Sequence, residues 1–479
     1  MRPRRCRATA NDTDASTGRL DVERNTEGLR DPLLGHERIA VLGLGSSGLA
    51  AAELLSLFGK TVIASDTRAD LDVEAQRQKW APSSQLVLGR NTLDGVTVAV
   101  VSPGIVPDSP IFAEAKERGI EVISELELAA RATTLPIIAV TGTDGKTTTT
   151  TLIGHFLTAS GLNPHMGGNI GTPLCQVVLE RRSGWLVVEV SAFQLLHSPK
   201  FAPQVTVATN IAQDHMDYFS GDWASYVEAK RRPLRQMREG VAVLNLEDLE
   251  IASWSEGFGG EVTWYGKGAD SQSTSGSWDE NGDVVLRWGT TTKRLEASSI
   301  SLLGYHNRLN IMAAGLGALA CGAAPGALES VRDYQAPAHR LQVVGTFEGV
   351  EYIDDSKATN PHAAQAALQT LSAPLILIAG GVDKGLSLEA WIDDMKGHVS
   401  ALVLIGALSE RLAREARARA LTAPIHFAGS MEDAVRLSQE LALSGETRCV
   451  LLSPGCSSFD MFASYSARGD EFQRAVRAL

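Results

Sequence analysis

Two strand, glycine turn and helix units, one opening near residue 38 and one near residue 136, predict an α/β protein, and strand–helix alternation that restarts after residue 339 adds a third unit. The expected architecture is a Rossmann-like N-terminal domain, a central P-loop-type mononucleotide-binding domain with a parallel sheet, and a C-terminal open α/β Rossmann-like domain. Boundaries are expected at 38–134, 135–338 and 339–479, with residues 1–37 as a disordered extension. A chain of 479 residues has room for about three cores of ordinary size.

The first unit begins with the apolar run Arg38-Ile39-Ala40-Val41-Leu42 and turns through Gly43-Leu44-Gly45-Ser46-Ser47-Gly48 into a helix. That is a GxGxxG turn in the setting such turns need, and Asp66-Thr67-Arg68 follows the next strand, where an acidic side chain can reach a ribose hydroxyl. The glycine pattern alone does not separate a dinucleotide from the diphosphate of another nucleotide. Ser102-Pro103-Gly104 closes a further strand, at the carboxyl edge where ligands of open sheets bind.

The second unit runs from Pro136 to Thr150, PIIAVTGTDGKTTTT. Gly142 and Gly145 let successive N–H groups converge on an anion, Lys146 adds a point charge, and Thr147 offers a hydroxyl to magnesium. Val140 stands where the general P-loop pattern begins with glycine. Downstream, Gly167-Gly168-Asn169-Ile170-Gly171 permits close backbone approach, and Glu189 closes an apolar strand in which an unpaired carboxylate is costly. Asp214-His215-Met216-Asp217 gathers acceptors after a strand end. Tyr226 and Lys230 are four apart on one helix face. The Gly/Ser-rich stretch 266–278 reads as a hairpin loop. Asn307 and Asn310 suit either a base edge or a helix cap.

In the third unit, Asp354-Asp355-Ser356-Lys357-Ala358-Thr359-Asn360 follows a strand, and two later strand ends carry Gly380-Gly381-Val382-Asp383-Lys384 and Ser453-Pro454-Gly455-Cys456-Ser457-Ser458. A lysine and several hydroxyls at such edges suit a carboxylate-bearing substrate.

Composition narrows the field. The net charge of -12 argues against a nucleic-acid binder, and no apolar run approaches the ~20 residues of a membrane span. The five cysteines, Cys6, Cys175, Cys321, Cys449 and Cys456, form no CxxC pair, so a reducing, cytoplasmic compartment is expected.

In order, the motifs GTDGKT, GGNIG, EVSAFQ, DHMD, YxxAK, GYHNRLN, HR, DDSKATN, GGVDKG and LSPGCSSFD resemble the Mur ligase family from about residue 38 onward. Within it, DSKATN together with GLGSSG is similar to the D-glutamate-adding branch. The resemblance implies an ATP-dependent amide-forming enzyme, expected as a monomer, whose small-molecule substrates are UDP-N-acetylmuramoyl-L-alanine, D-glutamate and ATP. It reassigns Gly43, Gly45, Ser46, Ser47, Gly48, Asp66, Thr67, Arg68, Ser102, Pro103 and Gly104 to the uridine diphosphate. ATP falls to Gly142, Thr143, Asp144, Gly145, Lys146, Thr147 and Thr148, with Asn307, Asn310, Arg340 and Asp355. Thr147, Glu189, His215 and a Lys230 carbamylated by carbon dioxide are implied to hold two magnesium ions, Asn169 and Ser191 to line the reacting carboxylate, and Thr359, Lys384, Ser458 and Tyr465 to form the D-glutamate pocket.

The chain departs from the family pattern at a few positions. Asp144 replaces a usual asparagine and adds negative charge beside the phosphates; Ala192 replaces a common serine; Ala212-Gln213 precede the DH pair; and Pro361-His362 replace small residues after DSKATN. Two other readings compete: a nicotinamide dehydrogenase, which explains only residues 43–66, and a non-enzymatic nucleotide-binding switch.

Overall fold

The computed structural model describes residue 26, residues 28–272 and residues 274–479. Three sheets carry the fold. The first is five parallel strands, β1 (Arg38–Leu42), β2 (Thr61–Asp66), β3 (Gln85–Leu88), β4 (Val98–Val101) and β5 (Glu121–Ser124), in the order β3-β2-β1-β4-β5. Covered on both faces, β1 and β4 are apolar almost throughout, as parallel strands between helices must be.

The second sheet holds β6 (Ile137–Thr141), β7 (Pro164–Gly168), β8 (Trp185–Glu189), β9 (Val205–Ala208), β10 (Val241–Asn245), β11 (Glu261–Tyr265), β12 (Gly276–Glu280), β13 (Asp283–Trp288) and β14 (Thr291–Leu295). Its order is β14-β13-β12-β11-β10-β9-β6-β8-β7, parallel from β7 to β12 and antiparallel beyond. The stretch expected as a hairpin loop at 266–278 is instead a tight crossover through a 3-10 turn at Ala269–Ser271, because β11 and β12 run parallel. The hairpin lies one strand later. There Asn281 (φ 59°) and Gly282 (φ 94°) supply the two left-handed residues that an Asn-Gly turn needs.

The third sheet, β15 (Gln342–Phe347), β16 (Val350–Asp354), β17 (Leu375–Ala379), β18 (Val399–Leu404), β19 (Ile425–Phe427) and β20 (Cys449–Leu452), has the order β15-β16-β20-β17-β18-β19. Only the β15–β16 pair is antiparallel.

The cores do not divide evenly. One apolar cluster runs unbroken from Ile39, Val41 and Val98 through the helix Glu125–Ala132 to Leu174, Leu186 and Phe201, so the first two units share buried surface. The third unit keeps its own clusters on the two faces of its sheet. It meets the centre through polar side chains described below.

Residues 1–25 and 27 lie outside the described residues, so the expected disordered extension is open to comparison only from Gly28 onward, and there it is corrected. Leu33 is buried in the shared core, Leu29 bridges to Thr133, Arg30 donates to the Arg131 carbonyl at 2.7 Å, and Asp31 pairs with the buried Lys60 at 2.7 Å. Two leucines four apart suffice to anchor a short segment that has no longer apolar run to announce it.

Candidate active site

Strand β6 ends at Thr141, and the chain leaves it through Gly142 (φ 132°) and Gly145 (φ 76°) to start the helix Lys146–Ala159. Neither glycine tolerates a side chain: a Cβ at 142 would lie 1.9 Å from Thr209 Oγ1, and one at 145 would lie 2.3 Å from Asn310 Oδ1. The loop is fixed by its own domain. The Asp144 amide donates to Asn210 Oδ1 at 2.9 Å, Thr209 Oγ1 donates to the Asp144 carbonyl at 2.6 Å, and Thr143 Oγ1 lies 2.9 Å from the Tyr226 hydroxyl. Lys146 Nζ folds back on the Thr143 carbonyl at 2.6 Å.

In front of this loop is a cavity of about 250 Å³. It is lined by Thr143 to Thr148, Asn169 and Glu189, by Asn307 and Asn310 from the helix Tyr305–Ala320, and by Arg340, Asp355, Lys357, Thr359, Asn360 and His362 from the third unit. Asn310 Nδ2 donates to Asn307 Oδ1 at 3.1 Å within that helix, and Thr149 of the helix Lys146–Ala159 donates to Asn310 at 3.3 Å, tying the two helices together. Burial pushes the Asp355 carboxyl up to about 7, against hydrogen bonds from Ser453 and the Leu341 amide.

Glu189 has the signature of a metal ligand. Oε1 accepts from Asn169 Nδ2 at 2.7 Å, while Oε2 is buried without a partner, a costly state that a cation relieves. Among the described residues no cluster of three or more His, Cys, Asp or Glu could hold a metal unaided. The donors therefore fit a hard cation shared with phosphate oxygens, Glu189 and the Thr147 hydroxyl supplying the protein's part. His215 sits in the left-handed region (φ 55°), with its ring edge-on to Phe193. Burial lowers its imidazole to about 4 despite Asp214, which leaves it neutral with a lone pair to offer.

Lys230 is buried and donates to the Gly142 carbonyl, with its ammonium 4.8 Å from the centre of the Tyr226 ring. Burial first, and the Lys146 charge second, hold it well below the ordinary lysine value. Ser191 is not among the residues lining the cavity. Its hydroxyl accepts from the Gln194 amide and donates to Gln194 Oε1, a capping box at the start of the helix Ala192–Leu196.

Lys384 and Tyr465 stand to one side of the cavity. Lys384 Nζ crosses from the third unit to Asp214 Oδ1 at 3.1 Å, and Asn360 reaches the other oxygen at 3.5 Å. The Lys357 ammonium lies 3.9 Å from the centre of the Tyr465 ring and is pushed down to about 8 by burial. Ser458 is buried beside the strand-end loop whose Ser457 bridges to Val382.

The first glycine turn is separate and complete in itself. Gly43 has φ 83°, and a Cβ on Gly48 would lie 1.9 Å from the Gly43 carbonyl. Both Asp66 oxygens are committed, to the Leu44 amide at 2.7 Å and to the Arg68 guanidinium at 2.9 and 3.0 Å, and the Arg68 bonds hold the carboxyl at about 2. Asp66 thus ties Arg68 to the turn through the Leu44 amide. Ser102 Oγ donates to the Gly43 carbonyl at 2.8 Å, and the Tyr218 hydroxyl of the central unit donates to the nearby Ile105 carbonyl at 3.1 Å.

Residues 37–124 match a family described as Mur ligase MurD-like, N-terminal domain; residues 140–318 match the Mur ligase middle domain, and residues 339–456 the Mur ligase, glutamate ligase domain. The chain belongs to the Mur ligase family. A protein named UDP-N-acetylmuramoylalanine--D-glutamate ligase from Desulfosudis oleivorans is 38% identical over 455 residues, which cover 93% of this chain and 97% of the relative. Another of that name, from Geotalea daltonii, is 37% identical over 451 residues, 92% of this chain and 98% of the relative. Among solved structures, MurF from Acinetobacter baumannii superposes with a TM-score of 0.61 at 18% identity, covering 91% of this chain and 93% of that one. MurC from Thermotoga maritima gives a TM-score of 0.55 at 16% identity, covering 92% and 99%. The three-domain α/β fold is that of the Mur ligases.

For this Mur ligase, three residues meet at the seam between the central and third units in contacts that the sequence did not announce: Asp214, Asn360 and His362. Asp214 and Asn360 lie inside the motifs and His362 is one of the departures from them, but no local signal pairs His362 with the phosphate loop.

Proposed function

We propose that the chain is an ATP-dependent ligase of peptidoglycan precursor synthesis that joins D-glutamate to UDP-N-acetylmuramoyl-L-alanine. The observation that carries this reading is the cavity in which the GTDGKT loop faces the DSKATN segment of a domain matched as a glutamate ligase domain. The relatives of that name match over nearly the whole chain.

In this reading a carboxylate oxygen of the alanyl substrate attacks the γ-phosphorus of ATP, and the bond to the β-phosphate oxygen breaks to release ADP. The amine nitrogen of D-glutamate then attacks the acyl carbon; phosphate leaves with the old carboxylate oxygen, and the amine gives up its proton. The loop amides and Lys146 face the oxygens over which charge spreads during phosphoryl transfer. Thr147 and Glu189 would hold one magnesium ion and His215 a second, and bound magnesium would supply charge neutralisation at the phosphates. Asn169 orients Glu189 by its hydrogen bond. Burial weakens the hold of Lys230 on its proton, and the amine that remains once the proton is lost is suited to attack carbon dioxide, forming an N–C bond and losing a further proton to give an anionic carbamate. Thr359, Lys384, Ser458 and Tyr465 are assigned to D-glutamate, and the Gly43–Gly48 turn, Arg68 and Ser102–Gly104 to the uridine diphosphate.

An amino-acid panel tests the reading: ADP release is measured with UDP-N-acetylmuramoyl-L-alanine and each candidate amino acid. Release that requires D-glutamate is expected. Release with another amino acid in its place would move the chain to a different branch, and release that ignores both partners would remove the ligase assignment.

A further inference from the structure

The phosphate loop contains a carboxylate, Asp144, where a polyanion is to bind, and the groups that hold its side chain come from a different domain. His362 Nδ1 lies 2.7 Å from Asp144 Oδ2, and Asn360 Nδ2 donates to Oδ1 at 3.1 Å, across 218 and 216 residues of sequence. The central unit fixes only the Asp144 backbone, through Asn210 and Thr209. Asp144 and His362 are also two of the positions at which the sequence departs from the motifs it otherwise matches, and the fold brings them into contact.

An ionised carboxylate among phosphate-binding amides opposes a triphosphate unless a cation cancels it. His362 is an expensive source of that cation, because it occupies the second position of the helix Pro361–Thr370, where the helix dipole disfavours positive charge. Its contact with Asp144 offsets that cost. Burial pushes the Asp144 carboxyl up, but the His362 bond and charge, with Lys146, bring it to about 2; the same bond raises the His362 imidazole, with Asp248 adding to the effect. His306, also lining the cavity, is lowered by burial and stays neutral.

We infer that His362 is a positioning residue for the nucleotide: it neutralises Asp144 and draws it away from the phosphates, so that the third domain contributes to ATP binding by closing on the loop. The inference rests on reading the cavity as a nucleotide triphosphate site.

A double-mutant cycle tests it on the full chain, using the dissociation constant of the magnesium complex of a non-hydrolysable ATP analogue, by titration calorimetry at neutral pH. The proteins are wild type, His362→Ala, Asp144→Asn and the double variant, each checked for cooperative thermal unfolding. His362→Ala should weaken binding by about tenfold, and adding Asp144→Asn should restore it to within about twofold of wild type, a coupling of ordinary size for contacting charges. A histidine that merely supports the fold would give equal weakening in both His362→Ala proteins, and that result, or no weakening at all, overturns the inference. Wild type that binds the analogue but forms no amide removes the ligase reading and leaves this one standing; wild type that does not bind removes both.

Discussion

At Gly43–Gly48 the groups that shape the turn, Ser65, Asp66, Arg68 and Ser102, belong to the same domain and lie within about sixty residues of it. At Gly142–Gly145 the backbone is fixed locally, but the side chains that complete the site come from Asn310 of a distant helix and from Asn360 and His362 of another domain. Both begin as a buried strand running into glycines that exclude a Cβ. One is finished by its neighbours in sequence, and the other is finished only when the third domain arrives. A binding site can be preformed in the first arrangement, whereas the second makes completeness of the site depend on domain closure.

The sharpest way to break the comparison is Lys146→Ala. Amide formation should fall by about 10³-fold or more, as expected when a charge facing the transferring phosphoryl is lost, while the KM for the uridine substrate stays near wild type. A matched fall in uridine affinity would show that the two turns are not independent. Lys230→Ala comes next. A loss of about 10–100-fold is expected, in the range for residues that orient metal ligands, with partial recovery on adding formate or acetate; a folded variant that no carboxylate rescues would overturn the proposal of a carbamate at Lys230. Arg68→Ala should act in the opposite sense to Lys146→Ala, raising the KM for the uridine substrate by about tenfold, as for loss of a charge-assisted phosphate contact, without changing that for ATP.

The smallest effect is on acid stability. The Asp66 carboxyl is lowered from 3.8 to about 2 in the folded chain, so its contribution is full above the ordinary value and is lost as pH falls through about 2. Asp66→Asn should therefore flatten the pH dependence of unfolding over that interval. An unchanged slope would mean that the Arg68 pairing contributes nothing to the turn.

Much of this was legible in the sequence because it is local. Apolar runs, glycine turns and the GKT triplet specify strand, turn and helix within fifteen residues, and the order of motifs specifies the family. What was not legible depends on distance or on a subtle signal. Nothing near residue 362 reports a partner at 144, and Asp214 reads as one acceptor in a cluster until Lys384 and Asn360 are seen on it. The crossover at 266–278 was misread because a glycine- and serine-rich segment serves equally well in a hairpin and in a short parallel connection. Residues 28–37 were misread because Leu29 and Leu33 are too few to form a run, though they are enough to anchor one. Ser191 carries the motif and uses its hydroxyl to cap a helix.

The two charged ties across the seam differ in their access to water. Asp214 and Lys384 have side chains only 9% and 12% exposed, whereas His362, opposite Asp144, is 48% exposed. Dissolved ions screen an exposed pair far more than a buried one. Rising ionic strength should then loosen the His362 contact while the Lys384 contact holds, so the third domain would stay hinged on Asp214 as its grip on the phosphate loop weakened. Salt concentration becomes a means of separating attachment of the domain from completion of the site.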